Sequence, residues 1–500
     1  MPRGNFWIIM SAAVVSLVCY QLQDRNPYGR YFSEIVDQIE ERYVEKVDRD
    51  QLFESAIKGM MGKLDENSNF FGHTETEGFR EALDQEFGGI GIQVSHDEKS
   101  KGLVVVATMP DTPAQKAGLL AGDKIIKVDG ADIRGLSVSD ASRKMRGKVG
   151  DPVKLTILRN GDDKPQELSP INRAIIEIQS VLGDTRTPDG NWNFYIADDP
   201  RIAYVRITSF GKHTERDLKA VMEQLQARGI QAMILDLRNN PGGFLETAIA
   251  TCDMFIDRGT ILTTRGRDNE VRDRYEATAP GTYQGFPMVV LVNRYSASAS
   301  EIVAACLQDH HRAIVMGERS YGKGTVQHVI PVSGGRNDLK LTTAYYWRPS
   351  DRNIHRKPDP SQPDGRAKES EEWGVSPDKP YERRLSDEEL KKLLVWRSDR
   401  DLLQLSEIKK SAAAKTPPTD AKKSDTTEKK DTEKKDTGKK SDPAETPDAA
   451  GTTTDDTPSE RKTPDANPAD GSVDTQLQDA IKYLQKQLDQ SGTAKKAAAA

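Results

Sequence analysis

The chain reads as a multidomain α+β protein: an N-terminal helical segment, a β-sandwich-like domain of short strands, a layered α/β domain and a disordered C-terminal tail. Three observations predict this. Near Phe87 the apolar spacing switches from helical to short β-branched runs; from Ile171 to Trp396 strand runs alternate with helical ones; after Lys410 apolar residues all but vanish. Five hundred residues are enough for several hydrophobic cores. A net charge of -6, from 72 basic and 78 acidic residues, supplies no field for gathering phosphate backbones, so nucleic acid is not an expected partner. At 36% hydrophobic and 30% charged the chain is too polar to span a membrane many times. Cys19, Cys252 and Cys306 form at most one disulfide and have no metal-knuckle spacing, so neither metal nor cofactor is expected.

Taken in order, residues 1–30 carry an apolar run, Phe6 to Tyr20, behind the single Arg3. Its length, about 15 residues, lies between a signal-peptide core and a full span, and no small-x-small cleavage site follows. The expectation is an exported protein held to a membrane by an uncleaved anchor, facing the periplasm or the cell exterior. Ser16-Leu17-Val18 before Cys19 lacks the small residue that lipidation wants. Residues 31–86 repeat apolar positions at helical spacing (Ile35, Ile39, Tyr43; Leu52, Ile57, Met60, Leu64) and predict a small helical domain. Residues 87–168 hold the short strand runs with one helix at about 138–145, and 169–405 the layered α/β domain. Residues 406–475 are a charged, disordered linker: runs such as TEKKDTEKKDTGKK bury too little apolar area to offset their ordering entropy. Residues 476–490 carry a short helical pattern (Leu477, Ile481, Leu484, Leu488), suited to docking on something or pairing with a copy of itself, and 491–500 form a terminal tail.

Three segments of the α/β domain could carry chemistry. The strand Met288 to Val292 runs into Asn293-Arg294-Tyr295-Ser296-Ala297-Ser298-Ala299-Ser300-Glu301 and a helix. A serine at such a turn presents its hydroxyl at the strand's end beside free N–H groups. The same letters are also a capping box, Ser298 with Glu301, and spacing alone does not separate the two readings. Lys323 stands between Gly322 and Gly324, where a bent backbone can confine the ammonium; burial lowers a lysine pKa and yields a neutral amine able to act as a general base. Gln327 falls on the same side if the strand begins at the lysine. Gly317 to Lys323 also fits the opening of a phosphate-binding loop, yet Gly324 and a β-branched strand follow where a Ser or Thr and a helix are needed. In the third segment, Asp236-Leu237-Arg238-Asn239-Asn240-Pro241-Gly242-Gly243, paired glycines bare backbone N–H groups for an oxyanion, or form a plain turn into a helix. His213, His310, His311 and His328 are the conventional alternative bases, and none has a signature around it.

Together the three segments resemble the C-terminal-processing peptidases, also called tail-specific proteases, a family of serine endopeptidases with a PDZ domain; the resemblance runs from about Tyr31 to Asp378. It implies Ser298 as nucleophile, Lys323 as general base and Gln327 as its orienting partner, the step from Ser298 to Lys323 favouring the middle serine. It implies an oxyanion hole from the Ala299 N–H with that of Gly242 or Gly243. Phe87-Gly88-Gly89-Ile90-Gly91-Ile92 and Thr112 to Leu119 resemble the family's PDZ domain, which implies that the loop Gly89, Ile90, Gly91, Ile92 receives a peptide C-terminus as an added strand. The expected function is therefore cleavage of proteins or peptides with unstructured C-termini through an acyl-enzyme. The competing expectation is a non-catalytic, membrane-tethered PDZ adaptor, and association into a homo-oligomer is left open.

Overall fold

Four parallel strands, Asp199–Ile207, Ala232–Asp236, Met288–Val292 and Ile314–Gly317, stand side by side in that order in the computed structural model, which describes residues 3–23, 27–97, 101–109, 111–159, 164–187, 191–357, 372–401 and 473–499. The two inner strands are buried at every residue, as strands with both faces covered must be. One face is covered by the helices Thr214–Ala227, Leu245–Asp253 and Ala299–Asp309, whose Leu218, Met222, Ala248, Ile302 and Leu307 join Val205, Leu235 and Val290 in the main core.

The opposite face is covered from far along the chain. Helix Thr475–Ala499 lays Leu477, Ala480, Ile481 and Leu484 on Tyr204, Ile234, Leu291 and Met316. These positions repeat at three and four residues and form one stripe. The pattern read over 476–490 thus belongs to a longer helix, and what it docks on is this chain's own sheet. Asp474 fixes its start: the carboxylate accepts the Leu477 N–H at 3.0 Å and takes both Nη1 (2.7 Å) and Nη2 (2.8 Å) of Arg238. Arg238 also grips Asp236 at 2.7 Å, and Tyr204 donates to Asp236 at 2.7 Å. All of these groups are buried. The linker expected over 406–475 lies, through residue 472, outside the described residues.

A second, five-stranded sheet is built on Asn337–Trp347, which pairs antiparallel with Thr325–Val332, Thr260–Arg265 and the short strand Asn69–Phe71. That last strand comes from the N-terminal region, where helical spacing hid it. Arg80 on helix His73–Asp84 strengthens the join with a two-pronged bond to the buried Asp338, at 2.7 and 3.0 Å. The six-stranded sheet of residues 92–167 and helix Val138–Met145 enclose a separate core of Leu103, Ile125, Leu155 and Ile157. Its strand Ile92–His96 lies at the edge of the sheet. The N-terminal run forms helix Arg3–Gln23 with Trp7, Val15 and Leu17 exposed; among the described residues no helix is long and apolar enough to cross a membrane.

If helix 475–499 completes the core, Leu484→Ala costs about 2–5 kcal/mol of stability. Asp474→Ala, which strips one of two carboxylates from buried Arg238, costs about 3 kcal/mol. Urea denaturation of the full chain measures both; losses under about 0.5 kcal/mol, typical of surface positions, contradict the packing.

Candidate active site

All three segments singled out in the sequence leave the C-terminal ends of neighbouring parallel strands: residues 237–243 after Asp236, 293–298 after Val292, and 318–324 after Gly317. This is where open parallel sheets gather their chemistry. Sutures then hold the loops together. Ser296 Oγ donates to Leu237 O at 2.8 Å, Ser300 Oγ to Asn240 O at 2.9 Å, the Ala297 N–H to Asn240 O at 3.0 Å, and the Asn239 N–H to Asn293 Oδ1 at 2.9 Å. The outer two serines of Ser296-Ala297-Ser298-Ala299-Ser300 are thus committed to backbone. The middle one is not.

Ser298 has φ 56° and ψ -115°, a conformation that costs a non-glycine residue about 1–3 kcal/mol and that concentrates at functional sites. Its side chain makes no bond to the helix it precedes; its hydroxyl lies 3.1 Å from the Tyr346 hydroxyl. The capping reading is half met, since the Glu301 carboxylate reaches back to the Ser298 N–H at 2.8 Å.

That carboxylate does more than cap. Glu301 is fully buried and accepts from Ser320 Oγ at 2.5 Å and from the N–H groups of Gly322 (2.6 Å) and Lys323 (2.8 Å). The Ser298 and Lys323 nitrogens lie 2.8 Å from the same oxygen, so they are no more than about 5.6 Å apart. Burial raises the Glu301 pKa against these donors, all of which favour the charged form. Lys323 is pushed down to about 8, first by burial and then by Lys340, against the pull of Glu301, Glu66 and Asp65. Its ammonium has no hydrogen bond or ion pair among the described residues. The flanking glycines are there for space. A Cβ on Gly324 would fall 2.3 Å from His355 N, and one on Gly322 2.7 Å from Arg356 Cβ.

Gln327 donates to Thr325 Oγ1 at 2.8 Å and to Thr342 Oγ1 at 3.2 Å. Thr342 Oγ1 in turn lies 3.2 Å from Asp65 Oδ1. Since a carboxylate only accepts, Thr342 gives its proton to Asp65 and must accept from Gln327, which fixes the amide NH2 on that side and leaves Oε1 as the acceptor. The N-terminal region thereby orients a residue next to the site, a link invisible at a separation of 277 residues.

The two oxyanion candidates are told apart by their bonds. The Gly242 N–H is spent on Asn240 Oδ1 at 2.9 Å. Those of Gly243 and Ala299 have no acceptor among the described residues. Gly242 contributes close packing instead, since a Cβ there would lie 2.8 Å from Ser298 Cβ. Three of the four histidines named in the sequence are engaged elsewhere, His213 with Glu86 at 2.5 Å, His310 with Thr260 O at 2.8 Å, and His328 with Thr343 Oγ1 at 2.5 Å. His355, beside Gly324, by contrast keeps a buried Nδ1 with no hydrogen-bond partner among the described residues. The one trio of metal-ligand types among the described residues, Glu86, Glu177 and His213, already has its carboxylates paired with Lys212 and Arg216.

Just before the sheet of residues 92–167, Ile90 and Gly91 give their carbonyls to the Ala114 and Met109 N–H groups, both at 2.9 Å, and Gly91 holds a φ of 80°. A Cβ there would strike Thr112 at 2.4 Å. Gly89, Ile90 and Gly91 lead directly into the edge strand Ile92–His96.

Comparison with known proteins supplies the family. Residues 201–378 match the model of peptidase family S41, residues 82–158 the PDZ domain and residues 26–76 the N-terminal domain of the activating protease CtpB. The carboxy-terminal-processing protease of Bartonella bacilliformis is 37% identical over 356 residues, covering 69% of this chain and 78% of the relative. The carboxy-terminal processing protease CtpB of Bacillus subtilis is 32% identical over 320 residues, or 64% of each chain. The solved photosystem II D1 C-terminal processing protease aligns at 26% identity with a TM-score of 0.38, over 71% of this chain and 92% of that one. The chain belongs to peptidase family S41, among the carboxy-terminal-processing proteases that carry a PDZ domain.

Proposed function

We propose that this peptidase is an exported, membrane-held serine endopeptidase that takes unstructured protein C-termini on its PDZ domain and cleaves them with Ser298 and Lys323. The observation that carries this reading is the shared Glu301 oxygen, which brings the backbones of a strained serine and a half-buried lysine together.

The chemistry follows from those positions. Neutral Lys323 Nζ takes the Ser298 proton as Oγ bonds to the scissile carbonyl carbon, and the carbonyl electron pair moves onto oxygen. The Ala299 and Gly243 N–H groups receive that charge. Collapse breaks the C–N bond and expels the amine, which takes the proton from Lys323. A water, deprotonated by the again neutral Lys323 Nζ, then adds to the ester carbon, and breaking of the C–Oγ bond frees the acid as Lys323 returns the proton to Ser298 Oγ. Gln327 Oε1, left unspent by the bonds to Thr325 and Thr342, is the acceptor available to orient Nζ when substrate is bound. In the PDZ domain a peptide C-terminus adds to the edge strand Ile92–His96, its carboxylate meeting the N–H groups of the Gly89, Ile90, Gly91, Ile92 loop. The exposed apolar side chains of helix Arg3–Gln23 support membrane association.

Ser298→Ala and Lys323→Ala are each expected to lower kcat by about 10³-fold or more. Affinity of the PDZ domain for a C-terminal peptide should stay unchanged. Because only the neutral amine is a base, hydrolysis should rise with pH along a limb centred near pH 8, with EDTA without effect. Retained turnover in purified Lys323→Ala, or a limb centred near pH 6.5, points to a histidine instead.

Glu301→Gln sets an NH2 against backbone donors; it should lower kcat about 10²-fold and cost about 1–3 kcal/mol of stability. A variant with wild-type kcat removes Glu301 from the account.

Membrane association is tested by fractionation. Full-length chain is expected in the membrane pellet and a chain lacking residues 1–26 in the supernatant; equal partitioning refutes the anchor.

A further inference from the structure

We infer that Tyr346 is a further catalytic residue, a phenol whose hydroxyl donates to the nucleophile oxygen and strengthens that bond as negative charge develops. The inference rests on the Ser298/Lys323 reading and deepens it.

Tyr346 stands near the end of strand Asn337–Trp347, 48 residues from Ser298, and its hydroxyl lies 3.1 Å from Ser298 Oγ. The side chain is buried at 5% exposure. Its backbone is tied to the base loop, the Tyr346 N–H donating to Gly324 O at 2.8 Å. The phenol therefore moves with Lys323, not with the nucleophile turn. No other side-chain partner of Ser298 Oγ occurs among the described residues.

Proton counting sets the direction of the bond. Ser298 has one hydroxyl proton, and the proposed reaction requires it for Lys323 Nζ. Toward Tyr346 the serine oxygen can then only accept, so the phenol is the donor. Burial holds the phenol acid–base inert, its pKa pushed up to about 12, so it keeps its proton throughout the working range. In the ground state the contact is an ordinary bond between neutral hydroxyls. As the serine proton passes to Lys323, Oγ gains negative charge and the bond becomes charge-assisted, which is stronger and shorter. An interaction that tightens only along the reaction coordinate raises kcat without tightening substrate binding. Deacylation benefits equally, since Oγ is then the leaving oxygen. Tyr346 transfers no proton in either step.

The test is Tyr346→Phe in the full-length chain, which keeps the ring and removes the donor. The readouts are the rate of acylation by a fluorophosphonate probe, kcat and KM for a peptide substrate, and affinity of the PDZ domain for a C-terminal peptide. Expected are a loss of about 10- to 100-fold in acylation rate and kcat, with KM and peptide affinity within about twofold of the parent. Tyr345→Phe, on the same strand with its ring turned to His355 and solvent, serves as the control and keeps the parental rate. Fluorinated tyrosine at position 346, which retains ring and hydroxyl, restores the rate and so separates the donor from packing. Tyr346→Phe with parental or faster acylation overturns the inference, as does fluorotyrosine that fails to restore it. Ser298→Ala and Lys323→Ala assayed alongside keep the two levels apart. If they retain turnover the dyad reading falls, whereas if they are inactive and Tyr346→Phe is not, only the role of Tyr346 falls.

Discussion

One buried carboxylate holds the site together. Glu301 sits in the first turn of the helix that follows the Ser298 turn, yet three of its four hydrogen-bond donors, from Ser320, Gly322 and Lys323, come from the next loop of the sheet. A carboxylate out of water needs its lone pairs filled, and here they can be filled only if the two loops approach each other. The cost of burying the charge thereby becomes a positional constraint on the two loops. Its weak point is a raised pKa: anything that loosens the four donors favours the neutral acid, which would release the loop that carries Lys323.

That constraint works because the sheet has already brought the loops to one edge. Parallel pairing aligns the strand ends at Asp236, Val292 and Gly317, and the Asn239, Asn240, Ser296 and Ser300 sutures fix the first loop on the second. Arg238 lies at the start of the first loop and is gripped by Asp474, at the start of the closing helix. The helix at 475–499 is thus bonded to the segment that bears Gly242 and Gly243, and the N-terminal region reaches Gln327 through Asp65 and Thr342. Two segments far apart in the sequence thus brace the surroundings of one site, Asp474 through Arg238 and Asp65 through Thr342.

Much of this was legible in the sequence. The alternation of strands and helices gave the layered domain, and the apolar stripe at 477, 481 and 484 gave a helix covered by something. Two choices were not resolvable from spacing. Whether Ser298 caps or reacts turns out to be a false alternative, because the cap is made by Glu301 on the Ser298 backbone and leaves the hydroxyl free for Tyr346. Which glycine keeps an N–H free depends on whose N–H is already spent, a matter of one Asx bond to Gly242. Tyr346, Thr342 and Asp65 escaped notice because they sit in ordinary strand and turn sequence and meet the site only through antiparallel pairing over long separations. A periodic pattern records which face is covered; it does not record by what, so the docking partner of the last helix also had to come from the fold.

The central claim is that one hydroxyl among three, Ser298, is made nucleophilic by an amine that loses its charge near pH 8. It is tested most directly by reacting the full-length protein with an irreversible phosphonylating probe across pH 6 to 10 and mapping the adduct by mass spectrometry. The account predicts a single adduct on Ser298 whose formation rate climbs through pH 8. An adduct on Ser296 or Ser300, or a rate on Ser298 that does not change with pH, would contradict it.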